Sequence, residues 1–226
     1  MSPRLENFST YLIALLVAYS CVAYELLLAS YASFMMGASI FQYSLVISLM
    51  MLSMGLGALT THRIKSRIFE TFLSVEILLA LLASIAIPIL YFVFCQDFYA
   101  KPILLAFVLL LGLGIGMEIP LLNSINSSDF RLSRILFFDY LGGFLGGITF
   151  PIFLLPTWGF FRVGALLGVI NAFVALIFYT TFSNRFKTQG KYWRYALAFL
   201  FILTLLSTVI AEHLRTWMEY KFAKIR

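Results

Sequence analysis

The segment Ile68–Phe94, IFETFLSVEILLALLASIAIPILYFVF, decides the fold. Its only charged side chains are Glu70 and Glu76, and beyond Glu76 it is almost wholly aliphatic or aromatic. Apolar and polar residues do not alternate, which excludes a half-buried or barrel strand. Wound as a helix at about 1.5 Å per residue, it exceeds the roughly 30 Å of a bilayer's hydrocarbon.

Six further stretches read the same way: Phe8–Tyr31, Ala38–Thr60, Pro102–Leu122, Ile135–Leu155, Gly159–Phe182 and Tyr195–Ala211. The pattern predicts an all-α polytopic membrane bundle, partly transporter-like, with about seven transmembrane helices over residues 1–211. A C-terminal tail over residues 212–226 follows. Wound as a helix, it places Leu214, Trp217, Met218, Phe222 and Ile225 on one face, as in a helix lying in the membrane interface.

Composition supports this. Hydrophobic residues make up 62% and charged residues 12%, with a mean hydropathy of +0.97, against about 45–50% and about 25% in soluble domains. A water-facing surface needs more charge than that. The net charge of +6 does not point to nucleic acid, since no basic stretch interleaved with aromatics forms a groove. The positives cluster instead in alternate connections: His62, Arg63, Lys65 and Arg67, then Arg131 and Arg134, then Arg185, Lys187, Lys191 and Arg194. That alternation predicts a multi-pass inner-membrane protein with a cytoplasmic N-terminus, the lipid bilayer being its first partner. Seven spans leave the tail outside, although Arg215, Lys221, Lys224 and Arg226 favour the cytoplasm.

Neither Cys21 and Cys95 nor His62 and His213 have metal-ligand spacing, so no metal is expected. No glycine-rich strand–helix loop, GxSxG, HExxH or P-loop is present, and no cofactor is expected. The glycines four apart, Gly112 and Gly116, Gly142 and Gly146, Gly143 and Gly147, are expected to let helices approach closely.

Ionisable groups at membrane depth carry the chemistry, because each costs about 2.5–3.5 kcal/mol to insert unless it faces water, a partner or a ligand. Glu25, Glu76, Glu118 and Asp139, with Tyr140, are the expected substrate-binding set. Depth places Glu118 beside Asp139, and Glu25 near Arg162 as an outer ion pair. Two readings stay open. One is an acid-lined site that accepts a cation or relays protons; the other is acids capped by neighbouring helices, tyrosines or arginines.

Several segments also resemble a known bacterial family: Ser20–Ala29 (SCVAYELLLA) with Phe34–Ser39 and the Gly55–Ala58 turn, Gly116–Leu122 (GMEIPLL), and Phe138–Gly147 (FDYLGGFLGG) continuing through Pro151 and Pro156 to Gly159 and Arg162. Together they resemble the multi-spanning domain that precedes the catalytic half of membrane-bound spermidine synthase-like proteins, the polyamine aminopropyltransferases. The Gly55–Arg67 turn is similar to the first cytoplasmic loop of major-facilitator transporters. In the family the last span leads into a Rossmann-like domain that binds decarboxylated S-adenosylmethionine and a diamine. This sequence stops at Arg226, about where that domain would begin, and no catalytic residue can be carried over. The resemblance therefore implies a chain that is not itself an enzyme and that binds or transports a small cation such as a polyamine. The alternative is a non-transporting anchor for a separately encoded soluble or membrane protein partner.

Overall fold

A computed structural model describes residues 3–37, 40–64, 67–96, 100–125, 129–186 and 190–223. Helices form throughout: α1 (Pro3–Met36), α2 (Ile40–Thr61), α3 (Ile68–Cys95), α4 (Ala100–Ile125), α5 (Asp129–Thr149), α6 (Leu155–Phe182) and α7 (Gly190–Ala223). The fold is all-α, as the aliphatic runs demand.

The helix count needs correction. The fifth and sixth apolar stretches are not separated by a loop. A π-helical turn over Phe150–Leu154 joins α5 directly to α6, so the described residues contain six continuous helical runs rather than seven, one of them sharply bent. The cause is local. Pro151 and Pro156 lack the backbone donors that would continue a regular ladder, and a π turn absorbs the mismatch. The bend itself falls at Gly159, whose φ of 67° and ψ of 173° lie outside helical space; a side chain there would be strained. Around this point the chain reverses. Gly142 packs on Leu15 and Gly146 on Tyr19, so α5 runs parallel to α1, whereas Gly164 packs near Leu27 while Val174 and Phe178 meet Ile13 and Val17, so α6 runs antiparallel.

Helix α1 is the hub. It packs against α5, α6, α2 and α4, while α3 lies between α4 and α6, and α7 is held by α6 and α3. The glycines occur where backbones come closest. A Cβ on Gly116 would collide with the Met54 carbonyl of α2, one on Gly112 would stand 2.8 Å from the Ser53 Cβ, and one on Gly146 would stand 2.6 Å from the Tyr19 carbonyl oxygen of α1. Gly143 and Gly147 face only the Val22 side chain, at 3.3 and 3.7 Å.

Outward faces are apolar: Phe41, Met51, Leu52 and Leu59 on α2, Phe137 and Phe144 on α5, and Phe199 and Val209 on α7 are all exposed. Five helical segments are long and apolar enough to cross a membrane by length and composition: Glu6–Met36, Ile40–Thr61, Ile68–Cys95, Ala100–Ile125 and the bent run Leu132–Arg185. The apolar part of α7 is shorter, Ala196–Ala211. Helix α7 continues without a break to Ala223. Of the tail's expected apolar face, Trp217 is exposed, and Ile225 lies outside the described residues, as does Lys65 of the first basic connection.

Two buried clusters make up most of the core. The larger gathers Cys21–Ala32 of α1 with Val75–Leu90 of α3, Leu104–Ile115 of α4 and Val163–Leu167 of α6. The second gathers Ile13, Ala14 and Val17 of α1 with Phe72, Leu121, Leu122, Ile135, Val174 and Phe178. A polar layer lies at the seam between them.

Candidate functional site

At the seam the buried residues change character. Ser20 on α1, Glu76 on α3, Glu118 on α4 and Asn171 on α6 are each at most 2% exposed. Helix-to-helix contacts set their common height: Gly114 meets the Leu79 side chain and Gly168 meets Ser84 and Ala80, while the rings of Phe72 and Phe178 lie 4.2 Å apart. Helices α3 and α4 form an antiparallel hairpin, and Glu76 and Glu118 stand nearly equidistant from its short connection. That symmetry brings the two carboxyls level and into direct interaction.

The pair is incompletely satisfied. Both Glu76 oxygens and Glu118 Oε2 have no hydrogen-bond partner of good geometry, and neither do the Tyr24 hydroxyl and Asn171 Oδ1. Ser20 differs, since its hydroxyl donates to the Leu16 carbonyl at 2.7 Å. Tyr24, fully buried on α1, is within electrostatic reach of both glutamates, and Cys21 is within reach of Glu118, Glu25 and Asp139. The charged groups bearing on Glu118 are Glu76 and Asp139, both acidic. Two carboxylates in contact at this depth require a proton or a cation between them. The arrangement therefore suits a cationic ligand whose donors reach several oxygens at once, as an ammonium does.

The structure distributes the other expected residues unevenly. Asp139, half-buried on α5, is within electrostatic range of Glu118, but the direct partner of Glu118 is Glu76. Reasoning from depth alone put Glu118 with Asp139 and left Glu76 as a fourth member; the equal spacing of Glu76 and Glu118 from the α3–α4 connection was the available signal. Glu25 is half-buried higher on α1 and Arg162 is exposed just beyond Gly159. Tyr140 is 73% exposed on the outer face of α5, apart from the pair. Tyr24 and Asn171, which the sequence already offers as neutral polar company for the acids, are buried and join the polar layer. Among the described residues no group of three His, Cys, Asp or Glu could hold a metal ion.

No protein-family model matches the chain, and no solved structure matches it. Curated proteins do. It is 36% identical over 169 residues to a polyamine aminopropyltransferase of Leptospira interrogans, covering 73% of this chain and 34% of that protein. It is 35% identical over 173 residues to polyamine aminopropyltransferase 1 of Streptomyces coelicolor, covering 72% and 33%. Polyamine aminopropyltransferase 2 of Aquifex aeolicus is 27% identical over 209 residues, covering 90% and 41%. The chain thus spans about a third of the length of the curated relatives it matches. The expectation that the chain is not an enzyme does not stand, because proteins bearing an enzyme's name match it at 30–36% identity over 72–86% of its length.

Proposed function

We propose that this chain is the membrane-embedded helical portion of an aminopropyltransferase-type enzyme, and that its Glu76–Glu118 pair binds an ammonium group of a polyamine. One observation carries the reading: two fully buried carboxyls interact with each other while three of their four oxygens have no hydrogen bond of good geometry, and the charges acting on Glu118 are acidic. The relatives' names supply the ligand class. Those names speak of aminopropyl transfer rather than transport, so the proposal is restricted to binding. Within it, Asp139 is an accessory counter-charge, and Glu25 lies higher on α1, apart from the pair.

The same reading places the protein in a bacterial inner membrane with the N-terminus on the cytoplasmic side. The apolar spans and the alternate basic connections support this. The ion pair between Arg185 and Glu6, at 3.7 Å, brings the start of α1 and the end of α6 to one end of the bundle, as that topology requires.

Calorimetric titration of detergent-purified protein with putrescine and spermidine tests the binding role. The parent should bind, and Glu76→Gln and Glu118→Gln should each weaken binding by at least about tenfold, the effect of one charge-assisted hydrogen bond. Equal affinities in all three proteins would reject the assignment. Reporter fusions at residue 64 and at residue 98 should give opposite compartments; a shared compartment would overturn the topology.

A further inference from the structure

Helix α7 is held by α6 and α3, yet the three helices part over one stretch. At its lower end Leu200 of α7 closes on Ala80 of α3 and Ala172 of α6. Beyond that contact a cavity of about 420 Å³ opens, walled by α3 over residues 81–89, by Phe161 and Ala165 of α6, and by α7 over residues 203–211. Its volume is that of a small-molecule site, roughly 300–1,000 Å³. It is open sideways, since Ile85 and Ile89 on one wall and Leu203, Leu206 and Ile210 on the other are exposed.

The chemistry of the walls says what fits. Among the described lining residues the polar side chains are Ser84, Thr204 and Ser207. Each hydroxyl donates to its own helix: to the Ala80 carbonyl at 2.9 Å, the Phe201 carbonyl at 3.0 Å and the Thr204 carbonyl at 2.6 Å. These protons are therefore committed, and no charged side chain lines the space. Water and polar ligands need partners that such walls do not offer. Shape narrows the choice further. The walls on α3 and α7 each cover eight helical steps, roughly 12 Å, so the mean cross-section is about 35 Å². A helix about 10–12 Å across needs more than twice that, so a helix of a second copy does not seat in it. An aliphatic chain does.

We infer that this cavity is a lipid site, which takes one acyl chain of a bilayer phospholipid along α7. The chain supplies the dense van der Waals contact that α7 lacks against α3 and α6. This rests on the reading of the protein as membrane-embedded and is independent of the Glu76–Glu118 pair.

The test uses the full chain in proteoliposomes containing phosphatidylcholine with a photoactivatable diazirine midway along one acyl chain, and maps the label by mass spectrometry. The control is residues 51–59 of α2, where Met51, Leu52 and Leu59 are exposed to the same degree or more. Label on residues 81–89 and 203–211 should exceed that on the control at least about fivefold, the ratio given by about 1 kcal/mol of preference over exchanging lipid. In Ser207→Leu, whose leucine takes up the space, that excess should vanish while the α2 label stays. Phosphatidylcholine added to the delipidated parent at about a hundredfold over its Kd should raise the melting temperature by roughly 5–10 °C, a gain that Ser207→Leu should lack. Equal labelling of all three stretches in the parent, or an excess that survives in Ser207→Leu, would overturn the lipid site. Label on α2 with none on the walls would place protein across the cavity and overturn it too. Absence of label from every apolar face would overturn the membrane reading itself, and the lipid site with it.

Discussion

The contacts of α5 on α1 and of α4 on α2 differ sharply from the contact of α7 on α3 and α6. In the first two, glycines bring backbone against backbone: Gly142 meets the Leu15 carbonyl and Gly116 the Met54 carbonyl. In the third, bulky side chains hold the helices apart and leave a cavity of about 420 Å³ lined by Leu81, Ile85, Phe161, Leu203, Ser207 and Ile210. Where the surroundings are as apolar as the helix surfaces, burial gives little drive toward association, and close approach with dense van der Waals contact must supply it. Glycine seams provide that contact and α7 lacks it, so the tightest and loosest parts of the bundle follow from side-chain size.

The strongest test is Gly116→Leu, which should abolish the folded monomer on size exclusion, since the leucine would have to displace the α2 backbone. Recovery of native-like protein would show that the α2–α4 seam yields. Gly142→Ala should cost about 1–3 kcal/mol, the usual range for overpacking, and lower the melting temperature in detergent; an unchanged melt would mean that α1 and α5 slide apart freely. At the loose contact, Ser207→Leu should stabilise by about 0.5–2 kcal/mol through cavity filling, raising the melting temperature. A fall there would show that the space is occupied by something the leucine displaces. Gly143→Ala should be the mildest, within about 0.5 kcal/mol of the parent, because a Val22 methyl 3.3 Å away can shift and the helix gains backbone order. A loss as large as that of Gly142→Ala would erase the distinction between glycines facing a carbonyl and glycines facing a side chain.

Much of the architecture is legible from Ile68–Phe94 and its counterparts, because an unbroken aliphatic run that does not alternate has helix as its one economical solution in an apolar setting. The union of α5 with α6 was harder to read. Pro151, Pro156 and Gly159 look like punctuation between two separate helices, and each does interrupt the regular ladder, yet a π turn carries the backbone through and only Gly159 leaves helical space. At the site the acids announced themselves by their cost, but their pairing did not. Estimates of depth treat each helix as an isolated rod; they cannot say that α5 lies against α1 and so keeps Asp139 a step away from Glu118. Tyr140 shows the same gap, since its neighbour Asp139 turns partly inward while Tyr140 faces out.

The sequence alone determined that the chain is helical, that its outside is greasy, and that a few carboxyls are held where carboxyls are expensive. Those properties depend on composition and local periodicity, which each residue carries with it. Only the tertiary structure decided that Glu76 meets Glu118 and that Tyr24 and Asn171 share their buried layer. Such neighbours are set by which helices lie side by side and at what height, and that is a property of the packed bundle rather than of any single segment.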